Sequence, residues 1–406
     1  MSSSMDVDDT KAPTAEKKKE NEEEEEEEKG VNMMELAQTI HRLNVTGIDD
    51  AAKTELRNTI LSELKNPFLF KTTFPDEVEV ESSETASAIA KLEVENEAKK
   101  KELEESIATA REEAGDMEVL ESSLKLAKFS FQSLSKDEAL EAYRKVVELP
   151  KLSSGKKIDV LMERARVASF YGDTKLMAEL VDTSTKMAGD WDRRNRLKVY
   201  EALGKILMRD VKAAAALLVD CIATFSCTEF CTFKDFVVYA MVSNLLHLPR
   251  TQLKEKIIDG PEILAIVNEI PVVSKLVNSL YDCDYKAYLH AMVEVESVLV
   301  ADRFLQPHCG YIMRELHVLG YKQFLDSYKS VTLDSMAASF GVGVEFLDLQ
   351  VSRFIAAGRL TAKIDKFGGI VETTRPDLKN SQYKDMIHKG DNLLNRIQKL
   401  ARVVDL

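Results

Sequence analysis

The stretch that decides the fold runs from residue 332 to residue 375 and reads TLDSMAASFGVGVEFLDLQVSRFIAAGRLTAKIDKFGGIVETTR. Its apolar spacing predicts two helices and then two short strands, over Leu333–Phe340, Val344–Ala357, Leu360–Ile364 and Ile370–Thr374. The glycines at 341 and 343 lie at the corner between the helices, where we expect both to adopt the positive φ of a tight turn. This order of elements is the outline of a winged helix.

The charge of this segment separates the two uses of such a fold, which are reading nucleic acid and joining proteins. Five acids and five bases leave it neutral: Asp334, Glu345, Asp348, Asp365 and Glu372 against Arg353, Arg359, Lys363, Lys366 and Arg375. Modules that bind DNA carry a cationic excess, because neutralised phosphates supply most of the affinity. Glu345 and Asp348 would also face phosphates if the second helix entered a groove. We therefore expect protein docking and keep a nucleic-acid adaptor as the alternative.

The composition predicts a mainly helical chain with an acidic tail. The chain has 406 residues, 45% of them hydrophobic, which is enough for two or three domains with buried cores. Residues 1–30 hold twelve acids, including the run Glu22–Glu28, and five lysines, so they carry half of the net charge of −14. A segment this polar cannot bury apolar surface, and we expect it to be disordered. No apolar run is as long as a membrane span and the N-terminus lacks a signal-peptide core, which predicts a soluble intracellular protein.

Two kinds of helix are expected over residues 31–115. Apolar residues at helical spacing over 33–65, interrupted at Thr46 and Gly47, predict a small helical hairpin. Residues 84–114 are rich in Glu, Lys and Ala, with few apolar positions. That pattern predicts a linking helix that is polar nearly all round, spans between modules and packs only lightly.

A repeat follows over residues 116–330, as in arrays whose units bury their apolar faces by stacking. Residues recur at offsets of twelve and then four, in the sets Ala127-Ala139-Tyr143, Ala165-Met177-Val181 and Ala202-Ala214-Leu218. Polar turns within the units carry Asp137, Asp173 and Asp210, spaced by 36 and 37 residues. Small residues let paired helices approach closely, and each turn aspartate is expected to cap the second helix of its pair. The pattern predicts a solenoid of units similar to tetratricopeptide repeats.

The last segment, residues 376–406, predicts one helix with a heptad seam. Met386, Leu393 and Leu400 recur every seven residues, and Ile397 and Val404 each follow four residues after the last two. Ile387 and Leu394 widen the stripe, and Gly390 is its defect. Periodicity leaves two interpretations open, since the helix could fold back on the winged helix or join a bundle with helices of other chains.

Residues that carry chemistry are scattered along the chain. The histidines form no H-x-H or H-E-x-x-H motif, and no P-loop, G-x-S-x-G or Cys/His nucleophile signature occurs. Cys227 and Cys231 lie four apart and His308 precedes Cys309, but no second Cys/His pair lies at a zinc-site spacing. We therefore expect no catalytic, cofactor or metal site, and we expect the five cysteines to stay reduced.

Four long motifs resemble the PCI family, the scaffold domain shared by the proteasome lid, the signalosome and a translation initiation factor. They are GDWDRRNRLKVY at 189–200, FGVGVEF at 340–346, RFIAAGRL at 353–360 and KGDNLLNRIQKL at 389–400. The resemblance is to lid subunits of the 26S proteasome, runs from roughly Leu120 to Leu406, and does not include the glutamate run.

The resemblance implies a non-catalytic scaffold subunit of the lid of the proteasome regulatory particle, in the cytoplasm and nucleus, that supports lid assembly and ubiquitin-dependent protein degradation. A signalosome scaffold is the alternative within the family. The partners implied for a lid subunit are other PCI-domain lid subunits, the lid deubiquitinase and the ATPase base. No association with a membrane is implied. In that family winged helices pack edge to edge in an arc, and C-terminal helices gather in a bundle. Carried onto this chain, the arc contact falls on Leu360, Ala362, Ile364, Ile370 and Glu372, and the bundle contact on Met386, Leu393, Ile397, Leu400 and Val404.

The motif around Trp191 allows two interpretations. In the first, Asp190 or Asp192 caps a helix on which Arg193, Arg194 and Arg196 are solvated. In the second, those arginines form ion pairs with a partner. The motif is therefore a candidate interaction site.

Overall fold

The computed structural model describes residues 31–47, 49–75, 83–113, 115–150, 152–374 and 378–404. They form two compact units, and the mainly helical fold with a winged helix is confirmed. Unit 1 comprises the residues up to Phe236 together with Ala301–Phe304, and unit 2 comprises Val237–Val300 and the residues from Leu305 onward. The predicted repeat region, 116–330, is thus divided between the units. The predicted acidic tail over 1–30 lies outside the described residues.

Unit 1 begins with short helices and one long helix: α1 Met33–Val45, α2 Asp50–Asn58 with a π-helical turn Thr59–Glu63, α3 Pro67–Thr73 and α4 Ser83–Glu113. The chain leaves α1 through Gly47 at a φ of 72°, at the predicted interruption. The long helix α4 is mostly exposed, as expected for a lightly packed helix, and only Ile89 and Asn96 are buried among its described side chains. Asn96 is buried there, and its amide donates to the backbone carbonyl of Lys65 at 2.8 Å.

Three helical hairpins follow in unit 1: α5 Asp116–Ser133 with α6 Lys136–Val147, α7 Ser154–Phe170 with α8 Thr174–Thr185, and α9 Trp191–Leu207 with α10 Val211–Cys221, which ends in the 3₁₀ turn Ile222–Thr224. All nine repeat residues identified from the sequence are buried, four alanines among them without any exposed area. Ala127, Ala139, Ala202 and Ala214 therefore lie where the helices pack closest.

The turn aspartates cap two of the three hairpins. The carboxylate of Asp173 accepts from the backbone N–H of Leu176 at 3.2 Å, and that of Asp210 accepts from Ala213 at 3.3 Å. The expectation was wrong for Asp137, since Ser135 occupies the capping position and Asp137 lies inside the first turn of α6. A short carboxylate cap of this kind offsets one of the unpaired amides at a helix start.

Unit 2 continues the helical array: α11 Phe233–His247, within which the boundary between the units falls, α12 Arg250–Leu253, α13 Pro261–Ile266, α14 Pro271–Asp282, α15 Tyr285–Ala301 and α16 Cys309–Leu325, with π or 3₁₀ turns at Lys254–Ile258, Val267–Glu269 and Gln306–His308. Proline opens both α13 and α14, where its missing N–H is not needed for a helical bond. No helix within the described ranges is both long and apolar enough to cross a membrane.

The winged helix closes unit 2 before the last helix: β1 Ser330–Thr332, α17 Leu333–Phe340, α18 Val344–Ala356, β2 Ala362–Asp365, β3 Ile370–Thr373 and, beyond it, α19 Leu378–Val404. The three strands form one antiparallel sheet in the order β1-β3-β2. The sequence predicts β2 and β3 but not β1, because three residues are too few for a visible alternation. β3 is therefore the central strand of the sheet.

The core of the winged helix extends into the two preceding long helices. Rings of Tyr285 on α15 and Tyr321 on α16 lie 4.9 and 5.0 Å from the ring of Phe340 on α17. Leu347 and Val351 of α18 and Val371 of β3 complete this cluster without exposed area. Aromatic pairs at such separations stabilise by ~0.5–1.5 kcal/mol beyond their buried area. The winged helix is thus anchored by the helices before it.

The corner between α17 and α18 uses only one of its two glycines in the way we expected. Gly341 has a φ of 69°, whereas Gly343 has a φ of −70°, a value open to any residue. A Cβ added at Gly341 would also lie 3.0 Å from Cγ of Lys286, while one added at Gly343 would meet no atom within 4 Å.

Gly341 and Gly343 should therefore differ in their tolerance of a side chain. Gly341→Ala should lower the free energy of unfolding by about 1–2 kcal/mol, because an L-residue is strained in the left-handed region. Gly343→Ala is the matched control and should change it by less than about 0.5 kcal/mol. Urea denaturation followed by circular dichroism measures both, and equal effects would contradict the assignment of the corner to Gly341.

Candidate protein-interaction surfaces

The carboxy-terminal helix α19 presents an uncovered apolar stripe. Its bundle candidates keep more than half of their side-chain area exposed, from 54% for Ile397 to 75% for Val404. Tyr383, Ile387, Leu394 and Val403 are exposed to a similar degree. The interpretation in which this helix buries its stripe on the winged helix is therefore wrong for this structure. The stripe is available to another helix.

The small sheet has two edge strands, β1 and β2, so only one of the two predicted strands lies at an edge. β3 is paired on both sides, since the N–H of Thr373 donates to Lys329 and the N–H of Thr374 donates to Thr361, both at 2.9 Å. Of the two strands to which the resemblance assigns the arc contact, the one at Ile370–Thr373 therefore has no open edge. Of the two predicted strands, β2 is the one with an outward-facing backbone, because the alternation of bonds with β3 points the N–H of Ile364 away from β3.

The side chains predicted for the arc contact do not all reach the surface. Leu360 and Ala362 are buried in the core of the winged helix, Ile364 and Ile370 are half-buried, and Glu372 is exposed. Leu360 and Ala362 therefore hold the strand in place, and a neighbour would meet mainly the backbone of β2.

The arginines of the Trp191 motif form ion pairs within unit 1, an outcome that neither interpretation anticipated. The guanidinium of Arg193 donates twice to Asp159 on α7, at 2.8 Å each, and also reaches Asp190. Arg196 donates to Glu229 at 2.6 Å, and Arg194 is exposed. Asp190 occupies the capping position of α9, but its carboxylate does not cap the helix. Arg193 thus joins α9 to the preceding repeat, and Arg196 joins it to Glu229 in the turn that follows α10.

Glu229 is the centre of this connection. Its carboxylate accepts from Arg196 and from the hydroxyl of Tyr200 at 3.0 Å on α9, and it lies 3.5 Å from Arg166 on α7. Burial opposes its charge, but the two guanidinium groups outweigh that effect and lower the pKa of Glu229 below its ordinary value of 4.5. A carboxylate so surrounded is charged at neutral pH and links two repeats.

Exposed apolar residues on the winged helix were missed by sequence reasoning. The apolar pattern of α18 predicts one broad packed side, but nearly half of Phe346 and of Leu349 on this helix is exposed. Phe367 is fully exposed at the turn between β2 and β3, which Lys366 ties to Asp348 of α18 through a 3.3 Å ion pair. The helical pattern could not separate these residues from Leu347, Val351 and Phe354, which are buried.

The buried thiols and histidines have structural surroundings. Burial raises the pKa of Cys227 to about 12 and that of Cys231 well above its ordinary value, so both are neutral thiols in the core. The Nδ1 atom of His317 lies 2.8 Å from the carbonyl oxygen of Met313, within its own helix. Among the described residues, no three His, Cys, Asp or Glu side chains gather as a metal site would require.

Comparison with known families gives three matches along the chain. Residues 85–256 match the family described as 26S proteasome subunit RPN7, and residues 285–375 match the PCI domain. Residues 382–404 match the 26S proteasome regulatory subunit RPN7/PSMD6 C-terminal helix. The last match coincides with the uncovered stripe of α19.

Whole-chain comparison gives the same grouping. The chain is 41% identical over 377 residues to the 26S proteasome non-ATPase regulatory subunit 6 of Oryza sativa subsp. japonica, covering 91% of this chain and 96% of that protein. It is 39% identical over 319 residues to the 26S proteasome regulatory subunit RPN7 of Saccharomyces cerevisiae, covering 77% and 74%. COP9 signalosome complex subunit 1 of Arabidopsis thaliana is 23% identical over 48% of this chain and 45% of its own length.

The geometry around Glu229 predicts a pH-dependent contribution to stability. At pH 7, Glu229→Gln should lower the free energy of unfolding by about 2 kcal/mol, because it leaves Arg196 without its counter-charge and Arg166 with Glu163 alone. Since the folded-state pKa of Glu229 is depressed, its contribution is present above the ordinary value of 4.5 and is lost as the pH falls through the folded value. Urea denaturation at a series of pH values should show the two proteins converging in acid. Glu141→Gln, at an exposed pair with Lys145, is the control and should have little effect. A difference in the free energy of unfolding between Glu229→Gln and the unaltered chain that persists in acid would contradict the assignment.

Proposed function

Because this chain belongs to the family of 26S proteasome regulatory subunit RPN7, we propose that α19 and the free edge of β2 are the surfaces that hold it among its neighbouring subunits. The chain is a structural scaffold subunit of the lid of the proteasome regulatory particle and supports lid assembly and ubiquitin-dependent protein degradation. The signalosome alternative is not favoured, since that relative covers about half of the chain at lower identity. The observation that carries the proposal is the uncovered stripe of α19.

The width of the stripe favours a bundle over a two-stranded coil. Leu393, Leu394 and Ile397 give three apolar positions in one heptad, and Met386 and Ile387 also lie side by side in the heptad before it. A two-stranded coil buries two positions per heptad, and a third needs a further helix to cover it. Burying an exposed leucine or isoleucine fully contributes roughly 1.5–3 kcal/mol, so several together can hold a subunit in a complex.

The edge of β2 suits a second, weaker contact. An edge strand offers unpaired backbone groups to which a neighbouring chain can add a strand or loop. β2 is short and carries Lys363 and Asp365 among its four residues, which limits unspecific pairing. We place the contact between winged helices on this strand.

The proposal includes the partners that the family resemblance implies. They are other PCI-domain lid subunits, the lid deubiquitinase and the ATPase base, met in the cytoplasm and nucleus. We propose that the chain itself catalyses no reaction, because its buried thiols are neutral and its histidines are scattered. The nucleic-acid alternative is disfavoured by the neutral winged helix and by Glu345, which is exposed in the first turn of α18.

The first test removes the stripe. Leu393→Asp combined with Leu400→Asp should abolish incorporation into the lid while leaving the free subunit folded, because two carboxylates would have to be buried in an apolar bundle. Affinity purification of the tagged full chain with mass spectrometry measures incorporation: the unaltered chain should bring down ATPases and the core particle, and the variant should not.

A matched control lies on the opposite face of the same helix. His388→Asp with Asn395→Asp, also seven residues apart, should leave incorporation unchanged. Normal assembly of the leucine variant, or purification of the unaltered chain with signalosome subunits alone, would refute the proposal.

The edge strand has its own test. Ile364→Pro removes the outward N–H of β2 and should weaken the contact with the neighbouring winged helix several-fold. Ile364→Ala loses comparable packing but keeps the N–H, so it is the control. Binding of each full-length variant to the purified neighbouring lid subunits would be measured by titration, and equal affinities for the two variants would count against the edge contact.

A further inference from the structure

The carboxy-terminal helix differs in sign of charge from the chain that carries it. Between Leu378 and Val404 it holds six lysines and arginines against two aspartates, a net charge of +4, whereas the whole chain carries −14. Two of the cations, Lys389 and Arg396, lie seven residues apart. We propose that they form a basic border of the stripe, and that the partner helix packed there is amphipathic and lines its own apolar stripe with Asp or Glu. This inference rests on the proposed function of α19.

Helix geometry places the basic border beside the seam. With Leu393 and Leu400 as d positions and Ile397 and Val404 as a positions, Lys389 and Arg396 fall at successive g positions. The g positions of a packed helix face the flank of its neighbour. On the other border the corresponding e positions are Ile387 and Leu394, which are apolar. The seam therefore has one charged flank and one apolar flank.

The helix itself offers a counter-charge to only one of the two cations on this border. Three and four residues from Arg396 lie Asn392, Leu393, Lys399 and Leu400, none of them acidic. Lys389 has Asp385 four residues earlier, and both Lys389 and Arg396 are exposed. A neighbouring helix with basic or apolar residues at that flank would leave Arg396 without a counter-charge and Lys389 with Asp385 alone as the seam closes, whereas an acidic flank would pair both cations.

The same charges disfavour a second copy of this chain as the occupant. In an antiparallel pair of copies the g positions face each other, so Lys389 and Arg396 would meet like charges. In a parallel pair they would face the apolar Leu394 or Ala401 of the other copy and gain no counter-charge. An acidic helix of a different chain satisfies both the stripe and its border.

The test reverses the sign of charge of the basic border in the full-length chain. Lys389→Glu with Arg396→Glu should reduce incorporation into a lid reconstituted from co-expressed subunits by roughly tenfold at low ionic strength. The deficit should shrink as salt is raised to about 0.5 M, because screening weakens the new repulsion between exposed charges. Far-UV circular dichroism of the free variant checks that its helices are intact.

The matched control has the same change of charge on the back of the helix. Lys384→Glu with Lys399→Glu should stay within about twofold of the unaltered chain. Equal loss in the border and control pairs, or no loss in either while the Leu393 and Leu400 variant fails to assemble, would overturn the acidic-partner inference and leave the bundle proposal standing. Retained assembly of the leucine variant would instead remove the bundle proposal. Sedimentation showing that the free chain dimerises through α19 would make a second copy the occupant and also overturn the inference.

Discussion

The structure depends on one constraint, which is that an amphipathic helix needs another apolar surface to cover its stripe. In the hairpins of unit 1 the cover comes from the same chain, and small residues such as Ala127 and Ala214 let the helices approach without exposed area. In the winged helix the cover comes from α15 and α16. Only for α19, among the helices described, is a long heptad stripe left open. The hairpins and the winged helix thus bury their apolar faces within the chain, whereas the stripe of α19 stays exposed, as in a subunit of a larger assembly.

The winged helix packs on α15 and α16 and leaves other parts of its surface exposed. Its core is occupied by aromatic rings of Tyr285, Tyr321 and Phe340, which fix it to the helices before it. The neutral balance of charge removes the usual attraction for phosphates. Its exposed features include the outer backbone edge of β2, Phe346 and Leu349 on α18, and Phe367 at the turn between β2 and β3. These are features that another protein surface can recognise.

The Trp191 motif shows how a sequence rich in surface-type residues can be structural. Arg193 and Arg196 bind Asp159 and Glu229, which lie 34 and 33 residues away in the chain. Arg193 thereby reaches the preceding hairpin, and Arg196 reaches the turn that follows α10. Partly buried ion pairs of this kind fix the relative position of packed elements more than they add net stability. They keep the repeat array of unit 1 in register.

The sequence by itself determined the features that depend on neighbours within one or two helical turns. These include the helices and corner of the winged helix, the buried alanines of the repeats, and the apolar stripe of α19, since each follows from local periodicity or from backbone preference, as at Gly341. Only the tertiary structure decided which strand has a free edge, where the Trp191 arginines pair, and that Phe346 and Leu349 are exposed beside the buried Leu347. Strand pairing, ion pairing and burial depend on residues distant in the chain, and periodicity carries no information about which distant residue will be adjacent.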